Sequence, residues 1–361
     1  MTAKVDGFGH GKGPGRARIL TTYAKNRHAA WLSRVDLLEA WHQEVARTWK
    51  KPLRESYRLR RDLVWAWRIF KAGRDYDVVL TGSDRAELLS AVIERIAGRR
   101  RPRHIFIDWL CNLPAGSGRW WRRKLLRSAA LHASRIFVQS GREVVVHASE
   151  LGVPQAKFVF VPYHSTLYAI RYQIREGNYV FAGGDSDRDY RPLIEAARTL
   201  PIPVRIAALR RDHFRNLEIP KNVEIFAASH QEFVDQMAGA AIIVVPMKGG
   251  LLHAGGQQTW LNAMTMGKPV VVAHDAADEY IQDHVTGILV PPGDTAAMAS
   301  ALCELVGDPE LRRRMGQRAK EASAAFTPES FFDRVFEVVN ECLREPGSGR
   351  AMLRGTKRAE G

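Results

Sequence analysis

The chain has 361 residues, 45% hydrophobic and 26% charged, ordinary proportions for a soluble globular protein, and its length favours two domains over one core. A formal net charge of +15 and an isoelectric point near 10.0 are not ordinary. They predict attraction to polyanions such as nucleic acid, anionic lipid or phosphorylated substrates. Cys111, Cys303 and Cys342 are scattered without CxxC spacing, which argues against a disulfide framework and a zinc site and fits a reducing cytoplasm.

In chain order, residues 1–16 are polar and glycine-rich and read as a flexible head. Gly9, Gly11, Gly13 and Gly15 precede the first strand, the reverse of a dinucleotide-binding fingerprint. The opening residues lack an apolar signal core, and no stretch approaches the roughly 20 apolar residues that span a bilayer, so a cytoplasmic protein is expected. Strands are expected at 18–23, 76–81, 104–107, 135–138 and 158–161, with helices mostly over 31–72 and then at 85–96, 119–132 and 141–150. The stretch 162–177 breaks this alternation. It resumes with strands at 179–182, 204–208, 223–226, 241–247, 269–273 and 287–290, and helices at 189–199, 230–239, 257–266, 294–307, 309–324 and 328–344. Such alternation implies parallel sheets covered on both faces.

The expected architecture is therefore α/β: two Rossmann-like, doubly wound domains facing a central cleft. The N-terminal domain spans 17–164, a linker 165–177 and the C-terminal domain 178–327. The helix over 328–345 is a candidate for returning to the N-terminal domain, and a basic tail over 346–361 is expected to be disordered.

The stretch 241–293 organises the second half. A β-branched run leads into a loop with Gly249, Gly250, Gly255 and Gly256, then a helix, then the strand after Gly267. A glycine loop opening a helix presents backbone N–H groups that favour an anion such as phosphate; tight turning alone would also explain the glycines.

Several ordered motifs resemble those of family 4 glycosyltransferases, group 1, of the two-Rossmann-domain (GT-B) type. They are Leu261–Met264 with Gly267–Val271, Asp278–Ile281, Thr286–Asp294 and Asp308–Arg312, preceded by Ser134–Ser140 and Lys157–Tyr163. The likeness covers roughly residues 130–335. It implies retaining transfer of a sugar, of hexosyl type, from a nucleoside diphosphate sugar to an acceptor hydroxyl. No tightly bound cofactor or metal is implied. The second domain would hold the donor and the first the acceptor. Under this resemblance Gly255, Gly256, Gln257, Gln258 and Thr259 would provide donors to the diphosphate. Arg188 matches a phosphate-binding lysine of the family, although it could instead pair with Asp187 or Asp189 at the surface. Arg210, with Arg211, also follows a strand and is a second candidate for the diphosphate.

The sequence departs from the family where two glutamates separated by seven residues are usual: those positions hold Ala254 and Asn262. Asn262 keeps an amide oxygen for a ribose hydroxyl. His253, Gln257 or Gln258 would have to replace the missing carboxylate at the donor sugar, and Glu279 is a further sugar-side candidate or a helix cap. Asp108, after the strand at 104–107, could orient or deprotonate the acceptor hydroxyl, or serve as a turn residue. No GxSxG, P-loop or HExxH occurs.

The basic surplus concentrates early, in Arg119, Arg122, Arg123, Lys124 and Arg127 around Trp120 and Trp121, in Arg99, Arg100, Arg101 and Arg103, and in Arg58, Arg60 and Arg61 near Trp65 and Trp67. Clusters of this kind suit docking on an anionic membrane; a solvated helix face is the plainer explanation. The sequence thus reads as a cytoplasmic, peripheral-membrane glycosyltransferase of polysaccharide or glycolipid assembly, with a carbohydrate or lipid-linked acceptor. The alternatives are a GT-B nucleotide-sugar epimerase and a non-catalytic basic binding protein on a degenerate scaffold. Nucleic acid is the least favoured partner, because no RNA-reading motif is present.

Overall fold

The computed structural model describes residues 17–23, 28–38, 55–99, 102–111, 120–167, 170–251, 253 and 255–345. The expected head and tail, Arg119, Arg100, Arg101 and Ala254 lie outside the described residues. The chain divides into two units. Unit 1 contains the described residues up to Val138, then Val144–Phe160, and those from Phe332 on; unit 2 contains Gln139–Glu143 and Val161–Phe331.

Unit 1 is built on β1 (Ile19–Thr21), β2 (Asp36–Leu37), β3 (Val78–Gly82), β4 (Arg103–Asp108), β5 (Arg135–Val138) and β6 (Phe158–Phe160). All pair in parallel, in the order β2-β1-β3-β4-β5-β6. Right-handed crossovers from β2 to β3, β3 to β4 and β4 to β5 put the helices Glu55–Ala72, Arg85–Ile96 and Trp120–His132 on one face. The middle helix packs against both of its neighbours. Trp31 is fully buried, its ring centroid 5.0 Å from that of Phe332 and 5.6 Å from that of Phe336 on the last helix, Pro328–Arg344.

Unit 2 contains β7 (Val180–Gly183), β8 (Val204–Ala207), β9 (Val223–Phe226), β10 (Ile242–Pro246), β11 (Val270–Ala273) and β12 (Ile288–Leu289). The parallel order is β12-β11-β10-β7-β8-β9, so the direction of winding reverses between β7 and β10. β10 and β11 are buried along their whole length, which is what a β-branched run without polar alternation demands. Helix starts are fixed locally. Ser229 Oγ accepts from the Glu232 amide at 3.3 Å while the Glu232 carboxylate accepts from the Ser229 amide at 2.7 Å, and Asp308 caps the helix that Pro309 opens.

The structure differs from the sequence reading mainly at 31–72. Within that span the described residues form a short helix (Ala29–Leu32), the two-residue edge strand β2 and then helix Glu55–Ala72. A strand of two residues carries no periodicity of its own. It exists because the exposed edge of β1 supplies the ladder partners.

A buried polar cluster ties four elements of unit 1 together. Thr81 Oγ1 lies 2.9 Å from His104 Nε2, whose ring bonds through Nδ1 to Glu94 Oε2 at 2.9 Å; His132 Nε2 reaches the same oxygen at 3.0 Å. Burial pushes the Glu94 carboxyl up, but the two imidazoles outweigh it and hold the group at about 2, against an ordinary 4.5. A depressed carboxylate contributes stability that is complete above its unfolded value and is lost as pH falls through the folded one. Glu94→Gln is therefore expected to flatten the decline of the melting temperature between pH 4.5 and about 2. Parallel acid limbs for the variant and the parent would show that the cluster does not carry this term.

Candidate functional site

The reversal point of unit 2 is where an open α/β sheet leaves a crevice beyond the carboxyl ends of its strands. Two loops meet there. The loop leaving β7 folds back onto the end of β10: Arg188 and Met247 form an antiparallel bridge, the Asp189 amide donates to Pro246 O at 2.9 Å, and the Lys248 amide donates to Asp187 O at 2.9 Å. Asp187 turns this corner in the left-handed region, φ 54°.

That fold-back fixes the Arg188 side chain, which is buried at 5% exposure. Its Nε donates to Gly183 O at 3.0 Å, Nη1 to Ser186 O at 3.2 Å and to the Met247 sulfur, and Nη2 to Thr259 Oγ1 at 3.3 Å. These acceptors are all neutral. No carboxylate among the described residues forms an ion pair with Arg188, and burial lowers the affinity of the guanidinium for its proton.

Two glycines make room for the guanidinium. A Cβ on Gly184, at φ 108°, would sit 3.0 Å from Nη2, and one on Gly256, at φ 88°, would sit 3.2 Å from Nη1 and 2.9 Å from Val245 Cγ1. Gly256 is also the N-cap of helix Gln257–Thr265, whose first turn contains no acidic residue. A helix N-terminus carries roughly half a positive charge. Here it adjoins a buried guanidinium that forms no direct salt bridge among the described residues, although the Asp187 and Asp185 carboxylates act on it from further off. The pair is arranged for an anion with several acceptor oxygens.

The remaining candidates fall in different places. Gln258 Nε2 donates to Thr166 Oγ1 at 2.9 Å. Gln257 is buried with its amide nitrogen on Gln139 O and the Tyr280 hydroxyl, which turns it away from a loop role. The Asn262 amide oxygen accepts from Ser165 Oγ at 3.0 Å and the Thr166 amide at 2.9 Å, and its nitrogen donates to Thr166 Oγ1 at 3.1 Å. It clasps residues 165–166. Glu279 accepts the Gly141 amide on both oxygens, at 2.9 and 2.8 Å, and so caps helix Gly141–Leu151. Arg210 is exposed and engages Asp212 at 3.2 and 2.6 Å, while its backbone amide and that of Leu209 are held by Asp185.

His253 lies beside the arginine loop, Nε2 at 3.4 Å from Asp187 Oδ2, with Nδ1 buried and unpartnered among the described residues. The backbone oxygen of His253 accepts from His274 Nε2 at 3.3 Å; His274 Nδ1 accepts the Ala276 amide, so the proton sits on Nε2. Burial keeps His274 below the ordinary imidazole range. Met247 and His274 were not singled out from the sequence, and Asp187 was considered only as a surface partner of Arg188. Only the Gly183-Gly184 pair after a strand offered a signal there.

In unit 1, Asp108 ends β4 and pairs in register with Gly82, where the ladder shifts, and its side chain is buried. On helix Trp120–His132, Trp120 and Trp121 are exposed, and the Lys124 ammonium lies 4.4 Å from the Trp120 ring centre. Arg123 and Arg127 are otherwise engaged. Arg123 bonds the Glu150 carboxylate at 2.9 Å and the Glu150 carbonyl, and Arg127 donates to Leu151 O at 2.7 Å. Both neutralise the carbonyl end of helix Gly141–Leu151, so these two members of the expected basic cluster form a helix–helix fastening.

Against known proteins, the architecture is shared widely. An Anabaena protein, HepE, solved in complex with UDP, superposes with a TM-score of 0.63 at 16% identity, covering 90% of this chain and 99% of that one. The fold is that of the GT-B glycosyltransferases. Residues 203–308, which include β10 and helix Gln257–Thr265, match the family "Glycosyl transferases group 1". The alpha-D-kanosaminyltransferase of Streptomyces kanamyceticus is 48% identical over 67 residues, and the N-acetyl-alpha-D-glucosaminyl L-malate synthase of Bacillus anthracis 33% over 92 residues. Those stretches cover 18% and 25% of this chain and only 17% and 24% of the relatives' own lengths.

A buried guanidinium held by neutral hydrogen-bond acceptors is costly to desolvate. Arg188→Met is expected to leave thermal stability unchanged or raise it by about 1–2 kcal/mol. Gly256→Ala, strained in φ and pressed against Val245 and Arg188, should lower it by about 1–3 kcal/mol. Urea melts of the ligand-free proteins check both; a large loss in Arg188→Met would mark the guanidinium as a structural strut.

Proposed function

We propose that the protein is a retaining glycosyltransferase of hexosyl type, with unit 2 holding a nucleoside diphosphate sugar and unit 1 the acceptor. The observation that carries this reading is Arg188, buried at the winding reversal beside a helix N-terminus and in direct salt bridge with no carboxylate among the described residues. A diphosphate supplies the missing charge. The UDP held by the Anabaena protein makes uridine diphosphate sugars the first donors to test.

In the reaction, the bond between the anomeric carbon and the β-phosphate oxygen breaks, and one between that carbon and the acceptor oxygen forms on the same face. The acceptor proton passes to the departing diphosphate. Charge grows on that diphosphate as the bond lengthens, and Arg188 with the N–H groups that open helix Gln257–Thr265 stabilises it there. The leaving group takes the proton, so no dedicated carboxylate base is required; Asp108 is assigned to orienting the acceptor hydroxyl. With the Gln257 amide nitrogen on Gln139 and Tyr280 and the Asn262 amide on 165–166, His253 Nδ1 is the group assigned to the sugar. Asn262 would meet the ribose only by exchanging its bonds to Thr166. Polysaccharide or glycolipid assembly is the corresponding biological setting.

Isothermal calorimetry is expected to show UDP binding, with Arg188→Met weakening it by about 2–4 kcal/mol while affinity for uridine stays nearly constant. Equal losses for UDP and uridine would remove Arg188 from the diphosphate, and the absence of binding to any nucleoside diphosphate would overturn the transferase reading.

A further inference from the structure

Helix Glu55–Ala72 of unit 1 has apolar residues on two sides, and among the described residues only one side is covered. Ala66 and Ile69 are fully buried, and Trp65 and Phe70 nearly so, where the helix meets the sheet and its neighbour Arg85–Ile96. A second set, Leu59, Leu63, Val64 and Trp67, is 44–56% exposed. The spacing of these four residues places them side by side along the helix. A surface helix of a globular domain needs only its inward stripe to be apolar.

Cationic residues are interspersed with this outer set and beside it. Arg58, Arg60, Arg68 and Lys71 are exposed, and the Lys71 ammonium lies 5.8 Å from the Trp67 ring centre. The one acid between residues 58 and 74, Asp62, is buried and neutralised by Arg61 at 3.0 Å and Arg85 at 2.6 Å. No exposed negative charge therefore offsets these cations over that span. In the same layer, past the middle helix, Trp120 and Trp121 are also exposed, beside Lys124.

We propose that this outer face of helix Glu55–Ala72 docks on an anionic lipid bilayer. An apolar strip with a tryptophan, interspersed with arginine and lysine, matches the boundary between acyl chains and negatively charged headgroups. A protein partner would have to offer both an apolar groove and a dense acidic rim; an anionic bilayer offers both without a specific fit. The net charge of +15 adds long-range attraction of the same sign. The helix lies flat, since its other face is committed to the sheet. The proposal is independent of the transferase reading, because vesicle binding is read without a donor.

The test is co-sedimentation of the full chain with vesicles of phosphatidylcholine alone or mixed with phosphatidylglycerol. Binding is expected only to the anionic vesicles and should fall as salt rises. Leu63→Glu/Trp67→Glu should weaken it at least about tenfold, and Arg60→Ala/Arg68→Ala by a comparable factor, since each basic residue near the surface contributes to attraction. All four sites are exposed, and an unchanged melting temperature confirms that each variant folds. Equal binding to both vesicle types, or variants that bind like the parent, would overturn the proposal. So would a parent dimer, seen by sedimentation velocity, that Leu63→Glu/Trp67→Glu converts to monomer, because the face would then pair two copies.

Discussion

The organisation of unit 2 depends on keeping one positive charge dry. Arg188 is surrounded by carbonyl oxygens, a hydroxyl and a thioether, with no carboxylate paired to it among the described residues. Removing a guanidinium from water is costly unless hydrogen bonds compensate, and neutral acceptors do so only in part. The compensation dictates the surroundings. The loop from β7 must fold back onto β10 to bring Gly183 and Ser186 carbonyls into range. Gly184 and Gly256 must lack side chains, and Thr259 must fall on the first turn of its helix. A structure that accepts these constraints retains a strong, preorganised field at the end of its sheet.

Much of this was legible beforehand, for definable reasons. Parallel strands buried on both faces leave long β-branched runs such as Ile242–Val245 and Val270–Val272, so both sheets could be read from composition and alternation. Arg188 and the glycine loop were legible because a strand end followed by glycine and a basic residue is a local pattern. What stayed hidden were partnerships between distant residues. Nothing local to Asn262 says that its amide clasps Ser165 and Thr166, and nothing local to Glu279 says that it caps a helix beginning at Gly141. The strand β2 was hidden for the same reason, since its partner β1 lies some way back along the chain.

The basic clusters show how one composition divides into different physics. Arg123 and Arg127 look equivalent to Arg58 and Arg60 in the sequence, but the structure separates them. The first two meet carbonyl groups at the end of helix Gly141–Leu151, where their charge is balanced within the fold. The second two stand exposed beside leucine and tryptophan, with no ion pair given for them among the described residues. Net charge therefore overstates what is available to a polyanion. Only the fraction left unpaired after helix ends and carboxylates have taken their share contributes an outward field.

The missing carboxylate at position 254 bears on the same balance. The sequence has alanine at 254 and asparagine at 262, and the carboxylates that act on Arg188 among the described residues are those of Asp185 and of Asp187, which also lies 3.4 Å from His253. Less negative charge nearby strengthens the pull on a diphosphate but removes the acceptors that fix sugar hydroxyls. A site weighted in this way draws affinity from the leaving group and selectivity from shape and neutral donors. Under the proposed reading His253, held beside the Asp187 carboxylate with Nδ1 buried, would serve that role.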